Sequence, residues 1–346
     1  VFETEKEMTS REILKRAIHR ERPSRLPVLM GSLGVSDTAG IPVGAASTFT
    51  PSTEGEDEWG CIWGHTDMPN MGQVVGHPLE NIEDLDTASF PDYSDDSRYV
   101  NVEQALDKAE SEGKYITCGI FMVLFERMHS LHGFENTLVD LYTDRPAMVA
   151  LADRIVEVHV QFVQEVAKRF PGRIDGWGMT DDWGTQQNSF ISYEAWMDFF
   201  HPRYKRIFDA MHEAGCDVWV HSCGKVNDIV EGYIQAGVNV VNLQQPRALG
   251  IDEMAERYAG RIAFESLSDI QATLPSGDKG AIEADAEALM TRWASPEGGF
   301  IFSDYGDGRA IGIPNDSIKP FMYDTFSKWS ERIYGEPLPP RPEQTG

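Results

Sequence analysis

The sequence predicts an α/β fold, a (β/α)8 barrel. Short apolar runs alternate with amphipathic helical segments from about residue 100 onward, helices such as 193–214 and 226–236 close on a glycine, and the apolar runs end in polar residues. Strand–helix alternation of this kind implies a parallel sheet. At 346 residues, one closed barrel accounts for the length better than an open doubly wound sheet. The dinucleotide alternative also lacks its phosphate turn, since Gly31-Ser32-Leu33-Gly34 does not have GxGxxG spacing.

The elements follow in order. Thr9 and Glu12 have capping-box spacing, and Ile13, Leu14, Ala17 and Ile18 form the apolar stripe of a first helix that Pro23 ends. Leu26 to Met30 reads as a buried strand. Residues 36–95 are rich in Gly, Pro and Asp with little periodicity, a long irregular excursion of the kind that forms lids and binding loops. Helices are expected at about 101–112, 121–132, 135–143, 146–169, 193–214, 226–236, 252–259, 281–293 and 316–333. Strands are expected at 115–118, 174–179, 218–220, 238–243, 262–264 and 300–302, which with 26–30 makes seven visible strands and leaves an eighth to be found. The expectation is a single barrel domain over 1–346, carrying an N-terminal helix and the excursion.

Composition narrows the function. With 56 acidic and 30 basic residues the net charge is −26, which cannot supply the cationic stripe of a nucleic-acid binder. It also opposes docking on an anionic membrane surface. No apolar run approaches the ~20 residues of a membrane span. Cys61, Cys118, Cys216 and Cys223 are too few and scattered for a disulfide scaffold, and residues 1–8 lack the apolar core of a signal peptide, so the expected location is the cytoplasm.

Barrel active sites lie at the C-terminal ends of the strands. Those ends carry Ser32, Asp181, Asp182, His221, Cys223, Gln245, Glu265 and Asp304. His221 and Cys223 alternate onto one side of an extended segment, where an imidazole and a thiol offer two ligands to Zn2+. The same pair also fits a buried cysteine beside a hydrogen-bonded histidine. Of Asp181 and Asp182, consecutive on a strand, one can face the mouth as an acid, base or substrate-holding group. Asp182 and Asp304 are equally placed to cap the helices that follow. Trp183 and Trp177 read as an aromatic wall or as packing. Gln186 lies beside this segment, and His129 is a candidate substrate contact.

At His221-Ser222-Cys223-Gly224, with Asp181 to Gln186 before it and Gly298 to Phe302 after it, the chain resembles the uroporphyrinogen decarboxylase superfamily. Thr9 to Glu12, Pro23 to Val28, Pro78-Leu79, Glu83 to Asp86, Asp269 to Gln271 and Leu274-Pro275 are similar to the family pattern as well. The resemblance implies a uroporphyrinogen decarboxylase-like (β/α)8 barrel. Decarboxylases of the superfamily use an N-terminal Arg-rich motif and an aspartate; Gly31 to Gly40 holds Asp37 but no such motif. His-x-Cys is instead similar to the zinc methyltransferase branch, which includes corrinoid-dependent O-demethylases. Gln245 stands where methionine synthase has a glutamate ligand, and the usual last cysteine is missing from Ser303 to Gly308. The resemblance therefore implies Zn2+ on His221 and Cys223 with Asp304 or Asp307, and Glu265 nearby. Asp181 or Asp182 and Glu265 would shuttle protons, while Ser32, Trp183, Gln186, Gln245 and His129 would contact substrate. The expected activity is methyl transfer from a small methoxylated or methylated donor to a corrinoid (cobalamin) protein, and the expected assembly is a homodimer. Two alternatives stand beside it: a metal-free decarboxylase-like lyase, and a non-catalytic corrinoid- or ligand-binding barrel.

Overall fold

The computed structural model describes residues 7–64 and 72–342. Its main sheet has nine strands: β1 (Val28–Met30), β2 (Val35–Ser36), β3 (Thr38–Gly40), β6 (Tyr115–Ile120), β7 (Gly176–Thr180), β8 (Asp217–His221), β9 (Val240–Asn242), β10 (Ala263–Ser266) and β11 (Phe300–Ser303). Strands β4 (Ile62–Gly64) and β5 (Gln73–Gly76) form a separate antiparallel hairpin. From β6 to β11 each strand pairs in parallel with the next, and β11 returns to pair with β1. The sequence thus folds as an α/β TIM barrel.

The missing strand lies inside the segment expected to be irregular. Val35 to Gly40 bends at Asp37, pairing antiparallel with β1 through β2 and parallel with β6 through β3. At the bend, the Asp37 amide donates to the Val28 carbonyl and the Asp37 carbonyl accepts from Tyr115, so one residue closes the ring. The Asp37 carboxylate takes both ends of the Arg25 guanidinium at 2.8 and 2.6 Å, plus the Val28 amide. Val-Ser-Asp-Thr-Ala-Gly has no apolar run, which hid this strand; backbone pairing and a buried ion pair hold it instead.

Side chains alternate across each strand. The inward set Leu29, Tyr115, Trp219, Val240, Ala263 and Ile301 fills the lumen. The helix Ser10–His19, started by the capping box of Thr9 and Glu12, plugs the N-terminal end with Leu14 and Ile18. Burying each of these two contributes roughly 1.5–3 kcal/mol. Gly176 is small because a Cβ there would lie 2.6 Å from the Tyr115 hydroxyl. Outward residues join the helices in the second, larger apolar core.

Most expected helices match within a few residues. The expected helix 193–214 is two helices, Tyr193–Phe199 and His201–Glu213, because Pro202 in the first turn of the second cannot continue the ladder of the first. No helix among the described residues is long and apolar enough to cross a membrane.

Candidate metal centre

Strand register builds the site. Thr180 of β7, His221 of β8, Asn242 of β9 and Glu265 of β10 are aligned neighbours, all inward and all one layer above the apolar lumen. His221 Nδ1 lies 2.7 Å from Asn242 Oδ1, and Asn242 Nδ2 donates to Glu265 Oε1. The other ring nitrogen, Nε2, is 3.3 Å from Cys223 Sγ and 3.6 Å from Asp182 Oδ1.

Two loops bring Asp182 and Cys223 together. The Cys223 amide donates to Asp182 Oδ1 at 2.7 Å, the Trp183 amide donates to Ser222 Oγ, and the Lys225 amide donates to the Thr185 carbonyl. The loops touch at Gly184 and Gly224. Gly224 has φ +84°, and a Cβ on it would sit 2.2 Å from the Gly184 carbonyl oxygen. Gln245 accepts the Gly224 amide at 2.9 Å and pins the same turn.

The ligand atoms of Asp182, His221 and Cys223 all lie within 4.8 Å of one another, a set with metal-binding spacing among the described residues. A tetrahedral zinc with ordinary N, O and S bond lengths holds its ligands about 3.3–3.5 Å apart. The two distances at Nε2 already approach that spacing. The chemistry of the set, one imidazole, one thiol and one carboxylate, suits zinc, and a site with three protein ligands leaves a position for substrate.

The electrostatics point the same way. Burial, then the charge of Asp182, pushes the Cys223 thiol well above its ordinary range. A bound cation reverses that cost, since metal binding deprotonates the thiol. Glu126, in the first turn of the helix Phe125–His132, is pushed up to about 8 by burial and then by Asp181 and Asp182. Its Oε2 is buried with no hydrogen-bond partner. Burial also raises Glu265 to about 7. Among the described residues, neither Lys nor Arg forms an ion pair with Asp182, Glu126 or Glu265.

Other residues singled out from sequence stand elsewhere. Asp181 is fully buried and faces away from the mouth. Its carboxylate accepts the Leu124, Phe125 and Glu126 amides and the Tyr204 hydroxyl, capping the helix that carries Glu126. Burial nevertheless raises its carboxyl to about 6. Trp183 is no wall of the mouth: it is fully buried, stacked on Phe125 at 4.2 Å and donating to Tyr204. Trp177 packs edge-on to Phe162 in the outer core. Gln186 is exposed on the loop after Gly184. Gln245 positions the Gly224 turn, and Glu265 holds Asn242. Asp304 pairs with Lys319 at 2.7 Å and accepts the Ser32 amide, while Lys319 also reaches Ser32 Oγ. Asp307 pairs with Arg309, which lowers its carboxyl to about 2. Both aspartates are thus tied to cations, whereas the Asp182 carboxylate stands beside His221 and Cys223. His129 lies beside Phe125 and Phe134, and burial lowers its imidazole to about 4, keeping it neutral. His65, a histidine of the irregular excursion that could belong to a lid, lies outside the described residues.

Sequence reasoning missed Glu126 and Asn242. Asn242 had a signal, a polar residue in inward register at the end of the apolar run 238–243. Glu126 had none, because its place depends on Asp181 capping a helix from a different strand.

The family profile of uroporphyrinogen decarboxylase (URO-D) matches residues 66–324, three-quarters of the chain and all of the site. The chain belongs to the uroporphyrinogen decarboxylase family. Among solved structures, this family member is similar to a methyltransferase from Methanosarcina mazei, with TM-score 0.69 and 14% identity over 94% of this chain and 99% of that one. D-psicose 3-epimerase (TM-score 0.39, 13% identity, 67% of this chain and 83% of that one) and the E. coli 3-keto-D-glucoside 4-epimerase (0.39, 10%, 64% and 84%) are more distant. No curated protein sequence matches it. These likenesses speak to the fold.

Proposed function

We propose that this URO-D family protein is a zinc-dependent methyltransferase that moves a methyl group from a small methoxylated or methylated donor to a corrinoid carried by a partner protein. The observation that carries the reading is the convergence of His221 Nε2, Cys223 Sγ and the Asp182 carboxylate at the barrel mouth. The methyltransferase neighbour of the same fold makes this branch the more fitting one. Zinc held there would act as a Lewis acid, stabilising charge on the heteroatom that loses its methyl group.

The chain's own residues prepare that step. His221, Cys223 and Asp182 hold the cation between the loops that Gly184 and Gly224 press together. Beneath them the lumen is filled by the apolar side chains of Trp219, Val240 and Ala263. Glu126 adds a further carboxyl within electrostatic reach of Asp182 and Cys223. The acidic mouth favours a neutral or cationic donor over an anionic one. The mouth opens at the C-terminal end of the strands, where a carrier protein can present its corrinoid.

The decarboxylase alternative has less support. Its aspartate would be Asp37, and that carboxylate is buried and clamped by Arg25 at the barrel seam. The test is metal content followed by methyl transfer. Purified protein is expected to hold one zinc per chain and to methylate a reduced corrinoid protein from some member of a panel of methyl ethers and methylamines. His221→Ala is expected to lose both. Absence of stoichiometric metal, or activity untouched by His221→Ala, would reject the reading.

A further inference from the structure

The mouth contains a polar chain that touches no candidate ligand except His221. Asn242 Oδ1 meets His221 Nδ1 at 2.7 Å, and Asn242 Nδ2 meets Glu265 Oε1. A primary amide has one accepting end and one donating end, and an ionised carboxylate only accepts. At pH 8, where Glu265 is ionised, it therefore takes the amino end, and the oxygen end is left for the imidazole. An amide oxygen cannot donate, so His221 Nδ1 must carry a proton. A neutral ring has one N–H, so Nε2 keeps a free lone pair. That lone pair faces Cys223 Sγ and Asp182 Oδ1.

We infer that Asn242 and Glu265 are positioning residues that fix His221 in the Nδ1–H tautomer, with Nε2 ready to bind a cation. The inference rests on the metal reading for its purpose but not for its test, because a tautomer can be observed without metal. The parallel register of β8, β9 and β10 sets the three side chains side by side, so the device is built into the sheet and not into a loop. Residues that orient a ligating histidine in this way typically change metal affinity 10–100-fold when removed.

The test combines nitrogen NMR with chelator competition at pH 8, on protein labelled with 15N-histidine. In metal-free wild type, the His221 signal, assigned by its absence in His221→Ala, is expected to show a protonated Nδ1 and an unprotonated Nε2. Glu265→Gln keeps an accepting oxygen for Asn242 and is expected to keep that tautomer, with zinc affinity within about threefold. Glu265→Leu frees the amide to rotate and offer its amino end to Nδ1. It is expected to raise the Nε2–H population and weaken zinc at least about tenfold, as is Asn242→Leu. Thermal melts identify any variant that fails to fold, and the wild-type and Glu265→Gln spectra then decide alone. An Nε2–H tautomer in the wild type, or equal losses in Glu265→Gln and Glu265→Leu, overturns the inference. If the wild type shows the Nδ1–H tautomer but binds no zinc, the metal reading fails and this inference stands.

Discussion

The two ends of the barrel treat buried charge in opposite ways. At the N-terminal end, Asp175 is held by Arg11 at 2.8 Å and Lys15 at 2.7 Å, and Asp217 by His19 at 3.0 Å and the Tyr115 hydroxyl at 2.8 Å. Arg11, Lys15 and His19 recur every fourth residue of the first helix, so one helical face supplies all three partners. At the mouth, Glu265 is buried and Asp182 and Glu126 are partly buried, and among the described residues none of the three has a Lys or Arg partner. The same carboxylate chemistry closes one end and leaves the other in need of positive charge. Local rules broken in one place and kept in another mark where function outweighs stability.

Neutralising a carboxylate at each end breaks this comparison most sharply. Asp175→Asn should destabilise the protein by roughly 1–2 kcal/mol in urea titration, because it removes the buried partner of two half-exposed cations. Asp182→Asn should leave metal-free protein unchanged or stabilise it by about 1 kcal/mol, since it relieves repulsion with Glu126. A loss at Asp182 equal to that at Asp175 would show that the mouth is built for stability after all.

The pH dependence sharpens the same contrast. Glu265 in the folded protein titrates near 7, above its ordinary 4.5, so between these values the folded chain keeps a proton that the unfolded chain has lost. The stability this proton confers is full below 4.5 and drains away as pH rises to 7, by roughly 3 kcal/mol. Glu265→Gln should flatten that part of the stability–pH profile. At the other end His19 is raised by Asp217, so its contribution is present at low pH and is lost as pH rises through its elevated value. His19→Gln should remove a smaller slope, because His19 is half exposed.

Gly224→Ala probes geometry instead of charge. A methyl group 2.2 Å from the Gly184 oxygen, on a backbone at φ +84°, should cost about 1–3 kcal/mol and part the two loops. Zinc affinity should fall with it, read by chelator competition, while the N-terminal end is untouched. The smallest expected effect is a proton count. Zinc binding at pH 7 should release about one proton or more per metal, from the Cys223 thiol and Glu126, measured by calorimetry in buffers of different ionisation heat.

Much of this was legible in the sequence, and the gaps have physical causes. Seven strands announced themselves by apolar runs, and His221 and Cys223 by period-two alternation. The strand at Val35–Gly40 did not, because its place is secured by backbone pairing and the Arg25–Asp37 pair. Asp182 was one of two adjacent aspartates, and only the burial of Asp181 under a neighbouring helix decides between them. Asp304 and Asp307 read as ligands because Lys319 and Arg309 are invisible as partners until the chain is folded. Asn242 could have been found from register, whereas Glu126 required the tertiary structure.

The seam of the barrel carries a consequence for how the protein comes into being. β1 and β11 lie at opposite ends of the barrel sequence, yet Val28 pairs with Phe302 and Leu29 with Ser303. On the ribosome the first strand therefore emerges long before its neighbour exists, and the ring cannot close until Phe300–Ser303 has been made. Such distant pairing slows folding and leaves an edge exposed meanwhile. The short, polar stretch bent at Asp37 covers the other side of β1 early, shielding the waiting strand from the pairings that lead to aggregates.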